Sequence, residues 1–522
     1  MTQLDTKASF TYLILPFVFA PGDFEKRLKW LDGLAWHNPK KDSDIRLWAR
    51  DRFDSEDLLP HVADYINPGM GTLPTVAVLH LNGDARTALW GNPSQSRWQL
   101  EELPGRPDIP FLVTDTHVYL FRTGAGFAVV TTQLCEGATL DDLLDFNHFA
   151  RTFDSRSRGR LVFRRRTGPE SWEETHPAML TDNTVGEQRV YLGELLDKVI
   201  DPQAERWTRN ILNRDQMLAF CGLAATGFDS PDPAAAPPQS ELLEKLRSFG
   251  RAGFSAVESR TTEGLIQQYA RGIYWTFSMN GGVWASLDAP EPFGTQALAG
   301  IVRKGYLPLF LLAQHQRLVL LELSRKVAQE FIPPETERAD PGFEAKVTAL
   351  RKQVWEFTWR AHFSHVSHND RRQAYYARWR EVLGVEGLYG EVNDRIREVG
   401  DLLNAHHDSE QLERMRQNSV QLHETMRHQL ATSEALEIVE VAIAGVYLLE
   451  GLKILFENSG YQTKLVEQAS PWLGLAPPFW FFLFIVLLTF PLLRWAIERH
   501  KQKLFSRGSQ TGVDHVAGEP KR

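Results

Sequence analysis

The chain has 522 residues and a formal net charge of −8, with no basic domain to neutralise phosphates, so nucleic acid is excluded as a partner. At 24% charged and 43% hydrophobic residues, most of it reads as water-facing and a small part as lipid-facing. Two cysteines, Cys135 and Cys221, are too few for a disulfide framework and fit a reducing compartment. The length exceeds one compact core and points to about three domains.

Met1-Thr-Gln-Leu-Asp-Thr-Lys7 lacks the basic start and small-residue cleavage site of a signal peptide, so none is expected. Residues 1–229 read as a cytoplasmic α/β lobe. Phe10–Ala20 is a β-rich run in which Pro16 suits an edge or a bulge. Phe24–Leu34 has helical spacing in Leu28, Leu31 and Leu34. Strands are expected at Thr75–Leu81, Phe111–Thr114, Val118–Arg122, Gly126–Thr132 and Arg160–Arg166, with a helix at Thr139–Phe149. Gly124-Ala-Gly126 joins two strands rather than a strand and a helix, so it is read as a turn and not as a phosphate loop.

Residues 230–240, rich in Pro and Ala, read as a linker. A second α/β lobe, 241–332, follows. Helices are expected at Leu242–Phe249 and Thr262–Tyr269, then a hairpin over Gly272–Leu287 turning at Asn280-Gly281. This hairpin shares a rhythm with Val118–Thr131: an aromatic strand, a Gly turn, a β-branched strand. The likeness reads either as two related halves sharing one sheet or as chance. Tyr306–Gln329 is apolar enough for a buried helix, but Gln314, His315, Gln316 and Arg317 interrupt it before it reaches spanning length.

From Phe343 the texture is helical, and 343–434 reads as a stalk. Phe343–Phe363 forms one helix, and Ser367-His-Asn-Asp370 reads as a capping box opening another. Gly384 and Gly387 break it. Leu388, Val392, Ile396, Val399 and Leu403 then step like a packed seam, which falters at His406–Glu410 and resumes at Leu412, Met415, Leu422, Met426 and Leu430. Residues 435–495 read as a pair of membrane helices. Ala469–Leu493 carries no charge and is long enough to cross a bilayer, which takes about 20 apolar residues. Leu436–Phe456 has the length but also holds Glu437, Glu440, Glu450 and Lys453. It either spans within an oligomer or lies on the surface. The 496–522 tail is basic, which puts both termini in the cytoplasm of a multi-pass protein of the inner (plasma) membrane.

This order, together with Glu391-Val-Asn-Asp-Arg-Ile-Arg-Glu-Val-Gly-Asp-Leu-Leu403 as its stalk helix, resembles the CorA-like magnesium transporter superfamily. The resemblance covers the layout of the last 180 or so residues. It implies a homo-oligomer, a pentamer in that family, whose first membrane helix lines a pore for Mg2+ or another divalent cation. Where the family has Gly-Met-Asn, this chain has Phe456-Glu-Asn-Ser-Gly-Tyr461. A second resemblance is to bacterial membrane-anchored proteins with a soluble body and a C-terminal helix pair.

The fold class expected is therefore α+β: a cytoplasmic α/β domain, long stalk helices and a C-terminal two-helix transmembrane hairpin. Glu440, Ala444, Tyr447 and Gly451 share one helical stripe and are the candidate pore-lining residues. No resident cofactor, metal ligand set or catalytic motif is expected; His362, His365, His368 and His406-His407 read as solvated stalk histidines rather than metal ligands. Two functions stay open: a cation channel or transporter in lipid, and a membrane-anchored scaffold or sensor that moves nothing.

Overall fold

The structure is a computed structural model. It describes residues 2–458 except 39–41, 55–56, 69–74, 104, 153–159, 169–170, 180–207, 210–215, 229–236, 252–263 and 331–342; beyond 458 it describes only Phe484, Leu487, Pro491, Arg494, Trp495, Glu498 and Arg499. The chain divides into two units, Met1–His407 and Asp408–Arg522.

The first unit is mixed α/β, built on one large sheet. Its strands are β1 (Gln3–Leu4), β2 (Phe10–Val18), β5 (Trp48–Asp51), β6 (Val76–Leu81), β7 (Ser96–Glu101), β8 (Ile109–Phe121) and β9 (Ala125–Leu134), then β10 (Arg160–Arg166), β11 (Trp172–Glu174), β12 (Thr208–Arg209), β13 (Leu218–Thr226), β14 (Ile266–Ala270), β15 (Ile273–Ser278) and β16 (Gly281–Leu287). A separate ribbon pairs β3 (Ala35–Asn38) with β4 (Ser43–Arg46). The main order is β11-β10-β7-β8-β9-β2-β13-β16-β15-β14, with β6 also on β8, β5 on β6, β1 on β13 and β12 on β2.

All nine residues of β2 are buried, which requires cover on both faces. Strand alternation sends Leu13, Leu15 and Phe17 to one core and Tyr12, Ile14 and Val18 to the other. The helices Phe24–Gly33, Gly83–Trp90, Leu140–Phe149 and Pro237–Ser248 fill the first core. Leu307–Glu330, Phe343–Arg360, Asp370–Val382 and the start of Val385–Asn458 fill the second. Pro16 sits in this central strand, not at an edge. Among the described residues β13 pairs along β2 from Phe10 to Ile14 and β12 at Phe17 and Val18, and neither of these ladders includes Pro16.

The two sequence lobes share this sheet. β13 pairs with β16 in parallel from Ala219–Gly281 to Ala225–Leu287, the connection between them carrying the helix Pro237–Ser248 and the strands β14 and β15. That helix begins inside the stretch read as linker. Ile266–Ala270 is a strand where a helix was expected, because β15 offers it an edge whose pairing outweighs local helical spacing. The hairpin turn is Met279-Asn280, one residue earlier than read, since Ser278 pairs with Gly281. The helix Asp370–Val382 is capped by the Asn369 side chain, which accepts from the Arg371 and Arg372 amides, rather than by Ser367.

The core helix Leu307–Glu330 continues from a π-helical segment, Val302–Tyr306. Gln314, His315 and Gln316, the residues that break its apolar run, are fully buried. Gln316 Nε2 donates to the Ala361 and Phe363 carbonyls at 2.8 and 3.2 Å, tying the loop after Phe343–Arg360 to the helix. His315 stacks on Phe121 with ring centroids 4.1 Å apart, and its Nε2 shares a 2.7 Å hydrogen bond with the Thr123 hydroxyl. Among the described residues no helix is long and apolar enough to cross a membrane. Ala469–Leu493 lies outside the described residues except for Phe484, Leu487 and Pro491, which are helical.

Two outcomes follow from this packing. Gly281 has φ +139°, and a Cβ there would lie 1.7 Å from the Ala219 carbonyl oxygen. Gly281→Ala therefore strains the seam between β13 and β16 and is expected to cost on the order of 3 kcal/mol in urea unfolding of the full chain. Gly33→Ala, whose Cβ meets nothing within 4 Å, is expected to change stability little. An unchanged Gly281→Ala midpoint would reject this close approach of β13 and β16.

Burial pushes the His315 pKa down from 6.5 to about 3. The folded value lies below the unfolded one, so unfolding takes up a proton below pH 6.5: the stability is whole above 6.5 and drains as pH falls toward 3. Between pH 7.5 and 5.5 the parent is expected to lose about 1.4 kcal/mol more than His315→Leu does. Equal pH slopes in the two proteins would count against a neutral buried His315.

Candidate functional site

The helix that carries the candidate residues is a single element of 74 residues, Val385–Asn458. It starts just after Gly384, whose φ of +65° ends the preceding helix. Gly387 lies inside it, and it passes His406–Glu410 without interruption. In the first unit its seam is an internal one. Val392 and Val399 are buried, Leu388 and Ile396 pack against the same core, and Gly400 meets the Arg351 guanidinium of the helix Phe343–Arg360.

In the second unit the same kind of seam is exposed among the described residues. Leu412, Met415, Leu422, Met426 and Leu430 are all exposed, Leu412 by 64% and Leu430 by 63%. Leu436, Ile438, Val439, Ile443, Val446 and Leu448 are exposed beyond them. Glu440, Ala444, Tyr447 and Gly451 lie on this stretch, all exposed, Tyr447 by 70%. A Cβ at Gly451 would meet nothing within 4 Å, so this side of the helix leaves room for a close neighbour. Two features thus coincide: a row of large apolar side chains in contact with solvent, and a carboxylate with small residues along one line. In lipid such a carboxylate is tolerated when it faces a partner or a wet interior.

The first unit holds a second polar constellation that sequence reasoning missed. β8 hands over its neighbour midway, pairing with β7 from Ile109 to Phe111 and with β6 from His117 to Phe121. The irregularity between Val113 and Asp115 lies at this exchange. There His80 and His117 stand directly cross-strand. His117 Nε2 is 3.7 Å from Asp51 and 3.8 Å from Asp115, and Arg303 of the π-helical segment reaches Asp115 at 3.7 Å. Burial lowers the His117 pKa, Asp115 and Asp51 oppose that, and Arg303 and His80 add to it, leaving the imidazole below its ordinary value. The signal for this cluster was present in polar residues breaking apolar strand runs, at His80 in Val-Ala-Val-Leu-His-Leu and at His117. The cluster ties the π-helical segment to the bulge of β8.

Of the stalk histidines, His365 and His368 are exposed, whereas His362 is half-buried. His362 stacks on Tyr389 at 4.2 Å and shares a 3.0 Å hydrogen bond with Arg380, which also pairs with Glu386. Among the described residues no group of three His, Cys, Asp or Glu is placed to hold a metal ion. Cys221 is buried, and burial pushes its thiol up to about 11.

No family model matches the chain, and no solved structure matches it. Over 96 residues, 18% of this chain, it is 38% identical to the "Uncharacterized protein MJ1566" of Methanocaldococcus jannaschii. That similarity spans 21% of the archaeal protein's length, about a fifth.

Proposed function

We propose that the chain is a CorA-like, membrane-embedded homo-oligomer that conducts a cation, with Mg2+ or another divalent ion as cargo, along the wall made by the end of Val385–Asn458. In this reading 435–495 forms the membrane hairpin, both termini are cytoplasmic, and Glu440, Ala444, Tyr447 and Gly451 face the pore. The observation that carries it is the uncovered seam from Leu412 to Leu430, continuing into an equally uncovered apolar stretch that contains Glu440. Exposed Leu and Met at helical spacing gain cover from equivalent helices of other copies, and the stretch beyond gains it from lipid.

Glu440 decides the orientation. Glu440 lies near the inner end of Leu436–Phe456, where a carboxylate is tolerated if it reaches headgroups or if, in a ring of copies, the carboxylates turn to a wet axis. There they form an acidic collar that attracts cations and repels anions. The sequence Phe456-Glu-Asn-Ser-Gly-Tyr461 in place of Gly-Met-Asn favours a second reading, a membrane-anchored scaffold through which nothing passes.

Oligomerisation and transport are tested separately. Leu412→Asp with Leu422→Asp is expected to dissociate the detergent-solubilised assembly, measured by light scattering, while the first unit unfolds as in the parent. Val399→Asp, in contrast, places a charge in the internal core and is expected to destabilise the first unit by about 3–5 kcal/mol. An assembly that survives the double change would remove the seam as the interface. For transport, Glu440→Gln is expected to lower divalent-cation uptake into proteoliposomes at least fivefold with oligomer size unchanged. Equal flux in variant and parent would reject the collar. No flux of any tested cation in the parent would leave the scaffold.

A further inference from the structure

A cleft in the first unit, independent of the membrane reading, opens between the Thr123-Gly124 turn, the core helix Leu307–Glu330 and the helix Phe343–Arg360. Its cavity volume is about 60 Å3, room for a handful of waters or one small polyatomic ion. Phe19, Val319, Leu323 and Phe357 supply apolar walls. The polar groups among them are unevenly matched.

Two hydroxyls at this cleft lack partners. Tyr65 Oη and Thr75 Oγ1 are both shut off from solvent and make no hydrogen bond. A buried hydroxyl left so is disfavoured, and in folded proteins such a group usually marks a missing water or ion. Burial raises the Tyr65 pKa, so the phenol stays protonated and is a donor; Arg360 acts on it in the opposite direction and therefore stands nearby.

The cations divide the same way. Arg122 is held by Glu25, and Lys326 Nζ donates to Gln353 at 3.1 Å. Arg360 forms no hydrogen bond or ion pair with any described residue. Of the two carboxylates on the wall, Glu322 is clamped by Arg325 through two hydrogen bonds of 2.8 and 2.6 Å, leaving Glu356 as the opposing charge. An exposed guanidinium without a described partner, a lysine on the same cleft and two buried hydroxyl donors are together a set of donors that an oxyanion would complete.

We propose that this cleft binds a phosphate group, the tetrahedral oxyanion accepting from Arg360, Lys326, Tyr65 and Thr75. Its volume suits a single phosphate, free or at the end of a larger molecule such as a lipid headgroup, with the rest outside. Guanidinium–phosphate pairing supplies the charge-assisted part and the hydroxyls the orientation.

The test is titration of the detergent-solubilised full chain with inorganic phosphate, followed by isothermal calorimetry, beside micelles doped with phosphatidic acid or with phosphatidylcholine. Saturable binding of inorganic phosphate identifies a free ion or small monoester as the occupant; binding confined to phosphatidic acid identifies a headgroup. In either arm Arg360→Gln is expected to weaken binding at least tenfold, and Tyr65→Phe, which keeps the ring and the fold, about threefold to tenfold. Glu356→Gln removes the opposing charge and is expected to tighten binding about threefold, a direction that structural damage does not produce. Absence of binding in both arms overturns the proposal, and so does binding indifferent to Arg360→Gln and Tyr65→Phe. Neither result bears on cation flux, so this site and the pore stand or fall apart.

Discussion

The burial of β2 and β13 on both faces is the constraint on which the first unit depends. β2 contributes nine buried residues in a row, and β13 eight of its nine. Strands this apolar cannot stand with one face in water, so two helical layers are obligatory. The core helix answers one side of that demand. Tyr306, Leu307 and Leu309 to Ala313 are each at most 3% exposed, against a sheet face of Phe220, Trp275, Phe277 and Trp284. At about 25 cal/mol per Å2, and 150–250 Å2 for each aromatic ring, this one interface outweighs any polar contact in the unit.

That dominance explains the polar residues it tolerates. Gln314, His315 and Gln316 lie in the middle of the core helix, where removing each from water costs more than one hydrogen bond returns. Gln316 recovers part through the Ala361 and Phe363 carbonyls, which fixes where the chain leaves Phe343–Arg360. His315 recovers part through Thr123, and so joins the core helix to the β8–β9 turn. Both Gln314 side-chain polar atoms are buried without a hydrogen-bond partner among the described residues. The polar contacts set register between layers that the apolar contacts merely hold together.

Elements whose periodicity agreed with their burial were legible in the sequence. β2, β6, β9, the helices Phe24–Gly33 and Leu140–Phe149, the hairpin β15–β16 and the buried character of Leu307–Glu330 all carry local patterns that tertiary packing reinforces. Ile266–Ala270 was not legible, since its strand state depends on an edge supplied by β15. Pro16 misled because its strand is central, paired with β9 at Phe127 and with β13 and β12 on the other side, a property of the partners and not of the strand. The cap at Asn369 was hidden by Ser367, two residues earlier, whose hydroxyl instead donates to the Asp57 carbonyl. The cleft was invisible, as its donors come from Tyr65, Thr75, Lys326 and Arg360, far apart in sequence and joined only by folding.

The long helix poses a different problem, one of solvent rather than of pattern. From Leu388 to Val399 and from Leu412 to Leu430 the sequence repeats the same apolar steps, and a reader of sequence sees one seam. In the first segment the partners are the chain's own side chains, so the seam is a core and its substitution is a folding defect. In the second the side chains are exposed among the described residues, and the helix, at 1.5 Å per residue, extends some 75 Å from Asp408 to Asn458. An isolated helix with Leu, Met, Ile and Val along this length gains nothing in water from its apolar stripe. In the proposed assembly its stability comes from the surfaces of other copies and of lipid. In that assembly copies of the same helix would provide a matching surface for the Leu412–Leu430 stripe, because identical seams are complementary by repetition. Lipid would provide one for Val439, Ile443 and Val446 but not for Glu440. The residue that fits neither water-facing seam nor lipid-facing wall is therefore the one whose surroundings distinguish a pore from an anchor.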